Sequence, residues 1–158
     1  MTRVEEVIER LALIPHSEEG GFFREIYRCA QKAENGRTCG TSIYYLLRRQ
    51  DRSKWHRVAS DEIWLYHAGV SILQHIIAPD GTLTTVVIGG DVARGESPQS
   101  IIPAGHWQTA ILNPHAVGDW GLVGATVFPG FEYEDFVAAE DDEICQLFPQ
   151  LANRLKFN

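Results

Sequence analysis

Residues Trp55 to Gly69 read Trp-His-Arg-Val-Ala-Ser-Asp-Glu-Ile-Trp-Leu-Tyr-His-Ala-Gly, which puts an imidazole, a carboxylate and a phenol in one short run. Read as two strands joined by Ala59-Ser60-Asp61, the run sends alternate side chains to opposite faces. Glu62, Trp64 and Tyr66 then share one face, and Ile63, Leu65 and His67 share the other. His56 and Val58 share a face on the preceding strand, and a hairpin would bring His56 opposite the Glu62 strand. A histidine oriented by a carboxylate is a general base that works near neutral pH. The same cluster could bind a metal, or it could be a buried imidazole satisfied by Glu62. The base and the purely structural histidine weigh about equally on sequence alone.

Around this cluster the candidates widen. Arg24 and Arg57, and less so Lys54, could anchor an anionic substrate, because guanidinium presents a fork to carboxylate or phosphate. Surface pairing is the plainer explanation for any one of them. Trp64 is the tryptophan that alternation aims inward, as core or as wall of a binding site. His16 with Glu18, Glu19, Gly20 and Gly21 reads as a loop at the mouth of such a site, or as a helix-ending turn that needs glycine. Gly89-Gly90-Asp91 lacks the strand–loop–helix context of a phosphate cradle. Ser42 has no histidine beside it in sequence and is not read as a nucleophile.

Those residues must be positioned by mostly extended chain. Thr2 and Glu5 have capping-box spacing, and Val4, Val7, Ile8 and Leu11 make one apolar face, so a first helix is expected, stopped by Pro15. Strands are expected at residues 22–29, 42–47, 55–58, 62–68, 71–78, 82–88, 100–102, 107–112, 121–128 and 132–137. Asp80-Gly81 marks a tight hairpin turn. Residues 140–155 return to helical spacing, with Ile144, Leu147 and Phe148 as a short apolar face. Many short strands without crossover helices exclude a parallel α/β sheet and imply an all-β sandwich or barrel. No linker or repeat divides residues 1–158, so one domain is expected.

The 158 residues carry 14 Lys and Arg against 21 Asp and Glu, a net charge of −7. That balance, with no basic patch, argues against nucleic acid as a partner. No apolar run is long enough to span a membrane, and the acidic start is not a signal peptide, so a cytoplasmic location is expected. Three cysteines, Cys29, Cys39 and Cys145, without Cys-x-x-Cys spacing, read as free thiols.

The motifs resemble those of the cupin superfamily. His56, Glu62 and Gly69 match the first histidine, the glutamate and the glycine of its first motif, and Val58 stands where the second histidine belongs. Pro103-Ala104-Gly105 matches the Pro-x-Gly turn of its second motif, and Gln108 stands at the third histidine. Further blocks are similar to the fifth cupin-like family of unknown function. They are Leu13 to Tyr27, Thr41 to Leu47, Trp55 to Trp64 and Val127 to Phe136, with Ser17-Glu18-Glu19 departing from the family's usual Pro-Glu.

The resemblance implies a double-stranded β-helix, or jelly-roll barrel, with a short N-terminal helix and a C-terminal helical segment. It also implies a homodimer. With two of the three metal histidines missing, no bound metal and no other cofactor is expected. Cupin-like sugar epimerases use a histidine base and a tyrosine acid without metal, and by that likeness Tyr66, Tyr133, Tyr27 and Tyr44 are the candidates for the acid. By that likeness the expected activity is metal-independent epimerisation or isomerisation of a small polar or anionic metabolite. His56, Glu62, Tyr66 and Tyr133 would be catalytic, and Arg24, Arg57, Trp64 and Gln108 would bind the substrate. The alternatives are a non-catalytic ligand-binding or sensor cupin and a metal-dependent dioxygenase or isomerase.

Overall fold

A computed structural model describes residues 2–155. The first helix, α1 (Arg3–Arg10), opens with the expected capping box, in which Thr2 Oγ1 accepts the Glu5 N–H and a Glu5 carboxylate oxygen accepts the Thr2 N–H at 2.7 Å. It ends before Pro15: Leu11 is the C-cap and Ala12, at φ 50°, turns the chain. Pro15 instead closes the two-residue strand β1 (Ile14–Pro15).

Nine strands follow the expected runs to within two residues: β2 (Phe22–Arg28), β3 (Thr41–Arg48), β4 (Ser53–Arg57), β5 (Asp61–Gly69), β6 (Ile72–Ile77), β7 (Leu83–Ile88), β8 (Gln99–Ile102), β9 (Trp107–Leu112) and β10 (Trp120–Phe128). The strand expected at 132–137 does not form. Tyr133–Asp135 is a 3₁₀ turn, closed by Asp135 N–H to Glu132 O and Phe136 N–H to Tyr133 O, and only β11 (Val137–Ala138) is extended. Its alternation of acidic and aromatic residues imitates a strand. Arg37, paired to Asp135 and bonded to Gly130 O, holds the segment turned. The C-terminal stretch gives α2 (Asp141–Leu147) and a 3₁₀ turn at Pro149–Leu151.

The strands form two sheets, β1-β2-β3-β10-β5-β8 and β11-β4-β9-β6-β7. From β3 to β6, and again from β7 to β10, successive strands alternate between the sheets. The exception is the β6–β7 hairpin, whose turn uses Gly81 at φ 86°. Antiparallel pairing with this alternation is the jelly roll. It corrects one expectation: β4 and β5 are not a hairpin. Ala59 and Ser60 turn a corner, so His56 and Glu62 belong to opposite sheets.

Tyr45, Leu47, Trp64, Ile72, Ile88 and Val123 fill the middle of the barrel, all with at most 1% exposure. Each such aliphatic side chain contributes roughly 1.5–3 kcal/mol by burial, and a cavity lies beyond them, at the end of the barrel lined by Thr41, Val58, Glu62 and Val127. The helices cover the outside. Val4, Val7 and Ile8 of α1 pack with Leu13, Leu46 and Leu122 against the larger sheet. Ile144 of α2 packs with Trp55, Ile77 and Trp107 against the smaller one. No helix among the described residues is long and apolar enough to cross a membrane.

Candidate functional site

The free end of the barrel holds a cavity of about 90 Å³, far above the ~10–15 Å³ that one water needs. His56 and Val58 enter it from β4, Glu62 from β5, Ile43 from β3 and Val127 from β10. Strand alternation explains the division. His56 and Val58 point inward, Trp55 points outward under α2, and Arg57 lies over the Trp107 ring at 5.0 Å.

His56 is 3% exposed and its tautomer is fixed locally. Its Nδ1 lies 2.7 Å from Lys54 O, which can only accept, so Nδ1 carries the proton and donates it. In the neutral ring the lone pair is therefore on Nε2, which makes no hydrogen bond to a described residue and sits 3.8 Å from Glu19 Oε1. The ring stacks on Phe136 at 5.3 Å and 19°.

Glu62 is held from behind. Its Oε1 accepts from Trp64 Nε1 at 3.0 Å and its Oε2 from Gln108 Nε2 at 2.6 Å. Gln108 is oriented in turn: its Oε1 accepts from Gln74 Nε2 at 3.1 Å, and Gln74 Oε1 accepts from Ser100 Oγ at 2.6 Å. This fully buried relay fixes which end of each amide faces which neighbour. Burial pushes the Glu62 carboxyl above its ordinary value, against the opposing pull of His56 and the two donors. Trp64 and Gln108 thus support Glu62 from behind and do not line the cavity, as their reading as substrate contacts required.

The loop from His16 to Gly21 supplies the other half of the site. His16 N–H bonds Gly21 O, Gly20 N–H bonds His16 O, and Lys54 N–H ties Glu19 O to β4. Gly20 sits at φ 97°, and a Cβ there would lie 2.4 Å from Arg52 O, so the loop closes only with glycine. Closure buries His16 and Glu19 at 8% exposure each. Glu19 Oε1 accepts from Ser53 Oγ at 2.5 Å. His16 Nδ1 accepts the Glu19 N–H at 2.9 Å, so its proton is on Nε2, 3.7 Å from Glu19 Oε2. Sequence reading put this loop at a mouth but gave its residues no role. The Gly20-Gly21 pair was the only signal, and what it specifies is a backbone turn rather than a side-chain task.

Burial holds the His16 imidazole below its ordinary value, partly offset by Glu19. A histidine lowered on folding contributes stability that is complete above about pH 6.5 and is lost as the pH falls through its folded value. Protonation would also cost the Glu19 N–H its acceptor. His16→Asn keeps a neutral acceptor in that place, so urea midpoints between pH 7.5 and 5 should fall more steeply for the parent than for the variant. Equal slopes would show that His16 does not govern this region.

The rim is built by β2 and the segment after β10. A bulge at Ile26 resets the alternation of β2, so Phe23, Glu25 and Arg28 all reach the cavity. Arg28 donates to both oxygens of Glu25 at 2.8 and 3.0 Å, to Glu132 Oε1 at 2.8 Å and to Phe131 O at 3.0 Å. Tyr133 lines the same rim, 58% exposed.

Three other candidates fall elsewhere. Arg24 points from the opposite face of β2 into solvent, and Arg57 lies outside over Trp107. Tyr66 shares Glu62's inward face as expected, but it sits four residues further along β5, beyond Trp64, with its hydroxyl donating to Gly69 O. Tyr27 and Tyr44 do not line the cavity either.

A three-histidine, one-carboxylate metal cage does not fit these residues. Val58 offers no ligand, and Gln108 turns its N–H toward Glu62 because Gln74 occupies its oxygen. His16 cannot substitute, since accepting the Glu19 N–H at Nδ1 leaves its Nε2 protonated. Among the described residues no group of three or more His, Cys, Asp or Glu is arranged to hold a metal ion.

The profile of a family described as cupin superfamily (DUF985) matches residues 5–139. Protein SO0799 from Shewanella oneidensis is 37% identical in a structure that superposes with a TM-score of 0.88, covering 97% of this chain and 94% of that one. A hypothetical protein from Leishmania major is 33% identical with a TM-score of 0.87, covering 96% and 95%. The uncharacterized protein YML079W of Saccharomyces cerevisiae is 31% identical over 173 residues, covering 98% of this chain and 85% of its own length.

Proposed function

The chain belongs to the DUF985 family of the cupin superfamily, and on that footing we propose that its barrel binds a small polar metabolite and transfers a proton on it without a metal. The observation that carries this reading is His56 Nε2, which carries the lone pair of the neutral ring and lies at the cavity with no hydrogen-bond partner among the described residues. It shares the cavity with Glu62, whose charge acts on it.

His56 takes the proton from a carbon α to a carbonyl, and the electron pair moves onto the carbonyl oxygen. Glu62 and Glu19, as carboxylates, stabilise the imidazolium that forms. Tyr133 returns a proton to the carbon from the other side, which inverts it. The imidazolium and phenolate left behind exchange their proton through water at the mouth. Support for an anionic guest is weak: Arg24 and Arg57 lie outside, and Arg28 is already engaged by two carboxylates.

The test is to incubate the full chain in D₂O with a panel of hydroxylated aldehydes and ketones, with and without amine or phosphate groups, and to follow α-proton loss by NMR. Exchange or inversion of at least one class above the protein-free rate is expected. A compound that raises the melting temperature but is recovered with its α-proton intact would instead favour the non-catalytic, sensor reading.

A further inference from the structure

We infer that the guest of this cavity carries a cationic nitrogen, a substituted ammonium group, held against aromatic faces and balanced by buried carboxylates. The inference rests on the barrel being a small-molecule site and adds the chemical class of the guest. Phe131 stands nearly perpendicular to Tyr133, at 5.1 Å and 80°, and to Phe136, at 6.4 Å and 74°, so the three rings make a corner. His16 closes it, 6.4 Å from Tyr133 and 6.2 Å from Phe136. Ring faces attract cations through their quadrupole, most strongly where water is excluded.

The charges facing the cavity have the matching sign. Glu19 and Glu62 are more than nine-tenths buried inside it, and Glu25 and Glu132 stand at the rim. Arg28 is the one arginine lining the cavity among the described residues, and Glu25 and Glu132 together offset more than its charge. His16 has Nδ1 committed as an acceptor. His56, 3% exposed, leaves Nε2 without a hydrogen bond among the described residues, a lone pair turned toward the guest. An anion would meet two buried carboxylates and an arginine already engaged, whereas an ammonium finds aromatic faces and negative charge together.

Choline and its uncharged isostere 3,3-dimethylbutan-1-ol separate charge from shape, and acetate probes the opposite sign. In calorimetric titrations of the full chain near pH 7.5, choline should bind at least about tenfold more tightly than the isostere, and acetate should not bind. Phe131→Leu should remove most of that preference. Tyr133→Leu, at an exposed ring whose loss leaves the fold intact, should reduce it. Equal or tighter binding of the isostere, binding of acetate in preference to choline, a preference unchanged by both variants, or no binding of choline at millimolar concentration each overturns the inference. Binding of the isostere alone would leave the barrel standing as a small-molecule site. Failure of that wider reading would be seen separately, as the absence of any guest or any α-proton exchange across the carbonyl panel.

Discussion

His56→Gln is expected to slow α-proton exchange of a responsive substrate by about 10²–10⁴-fold, the usual contribution of a positioned general base. The variant suits the question because it separates the two roles the residue could have. A glutamine side-chain N–H can still donate toward Lys54 O, which the imidazole now reaches at 2.7 Å. The polar contact that seats the side chain therefore has a replacement, and the loss of packing is confined to the stacked face of Phe136. What glutamine lacks is a basic nitrogen at the position of Nε2. If His56 only seats the barrel mouth, melting temperature should fall and the exchange rate per folded molecule should not. If His56 is the base, the rate should collapse while the protein melts within a few degrees of the parent. A variant that folds and exchanges at the parental rate would sink the proton-transfer proposal outright. The same preparation distinguishes binding from chemistry, since a guest held by the aromatic corner should still bind to it.

How much of this could be read in advance depends on what each residue's position is fixed by. Period-two alternation put Glu62, Trp64 and Tyr66 on one inward face, and they are. Alternation carries no information on depth, so Tyr66 could not be told from a cavity residue, although Trp64 stands between them. The bulge at Ile26 defeats alternation on β2, replacing the expected Arg24 with Arg28. Bulges are set by pairing with a neighbouring strand, here β3, and leave no local mark. His56 and Glu62 share the cavity as expected, but Lys54 O, not Glu62, holds the imidazole, and they meet by a different route. A hairpin was expected, and the real geometry is a corner between sheets, which nothing in Ala59-Ser60-Asp61 distinguishes. His16 and Glu19 needed the closure of a glycine turn onto β4, a contact across more than thirty residues of chain. By contrast the capping box and the Asp80-Gly81 turn are determined within a few residues, and both were legible.

Rebuilding the missing cage gives the second large effect. The double variant Val58→His, Gln108→His is expected to raise affinity for a first-row divalent ion such as Zn²⁺ or Ni²⁺ by at least about 100-fold over the parent, since imidazole is the ligand such ions favour. Both positions face the right way: Val58 lines the cavity beside His56, and Gln108 pairs with His56 in the β4–β9 register. The surrounding bonds also favour the change at 108. Gln74 Nε2, which now donates to Gln108 Oε1, can donate to Nδ1 of a histidine there, leaving its Nε2 to face Glu62 and the metal. Gln108→His alone should gain less, because it adds one imidazole to the single usable one. The larger side chain at 58 should destabilise the apo protein by about 1–3 kcal/mol, and metal should restore it, so melting with and without ion reads binding independently of a chelator competition. Had the parent instead held one ion at comparable affinity, Val58 and Gln108 could not be what separates this cavity from a metal-binding one. His16 or the Gln108 amide would then have to supply a ligand, against the hydrogen bonds each makes. If the variant gains the ion and the parent does not, the residues at 58 and 108 are sufficient to account for a cavity that keeps His56 and Glu62 but lacks the cage.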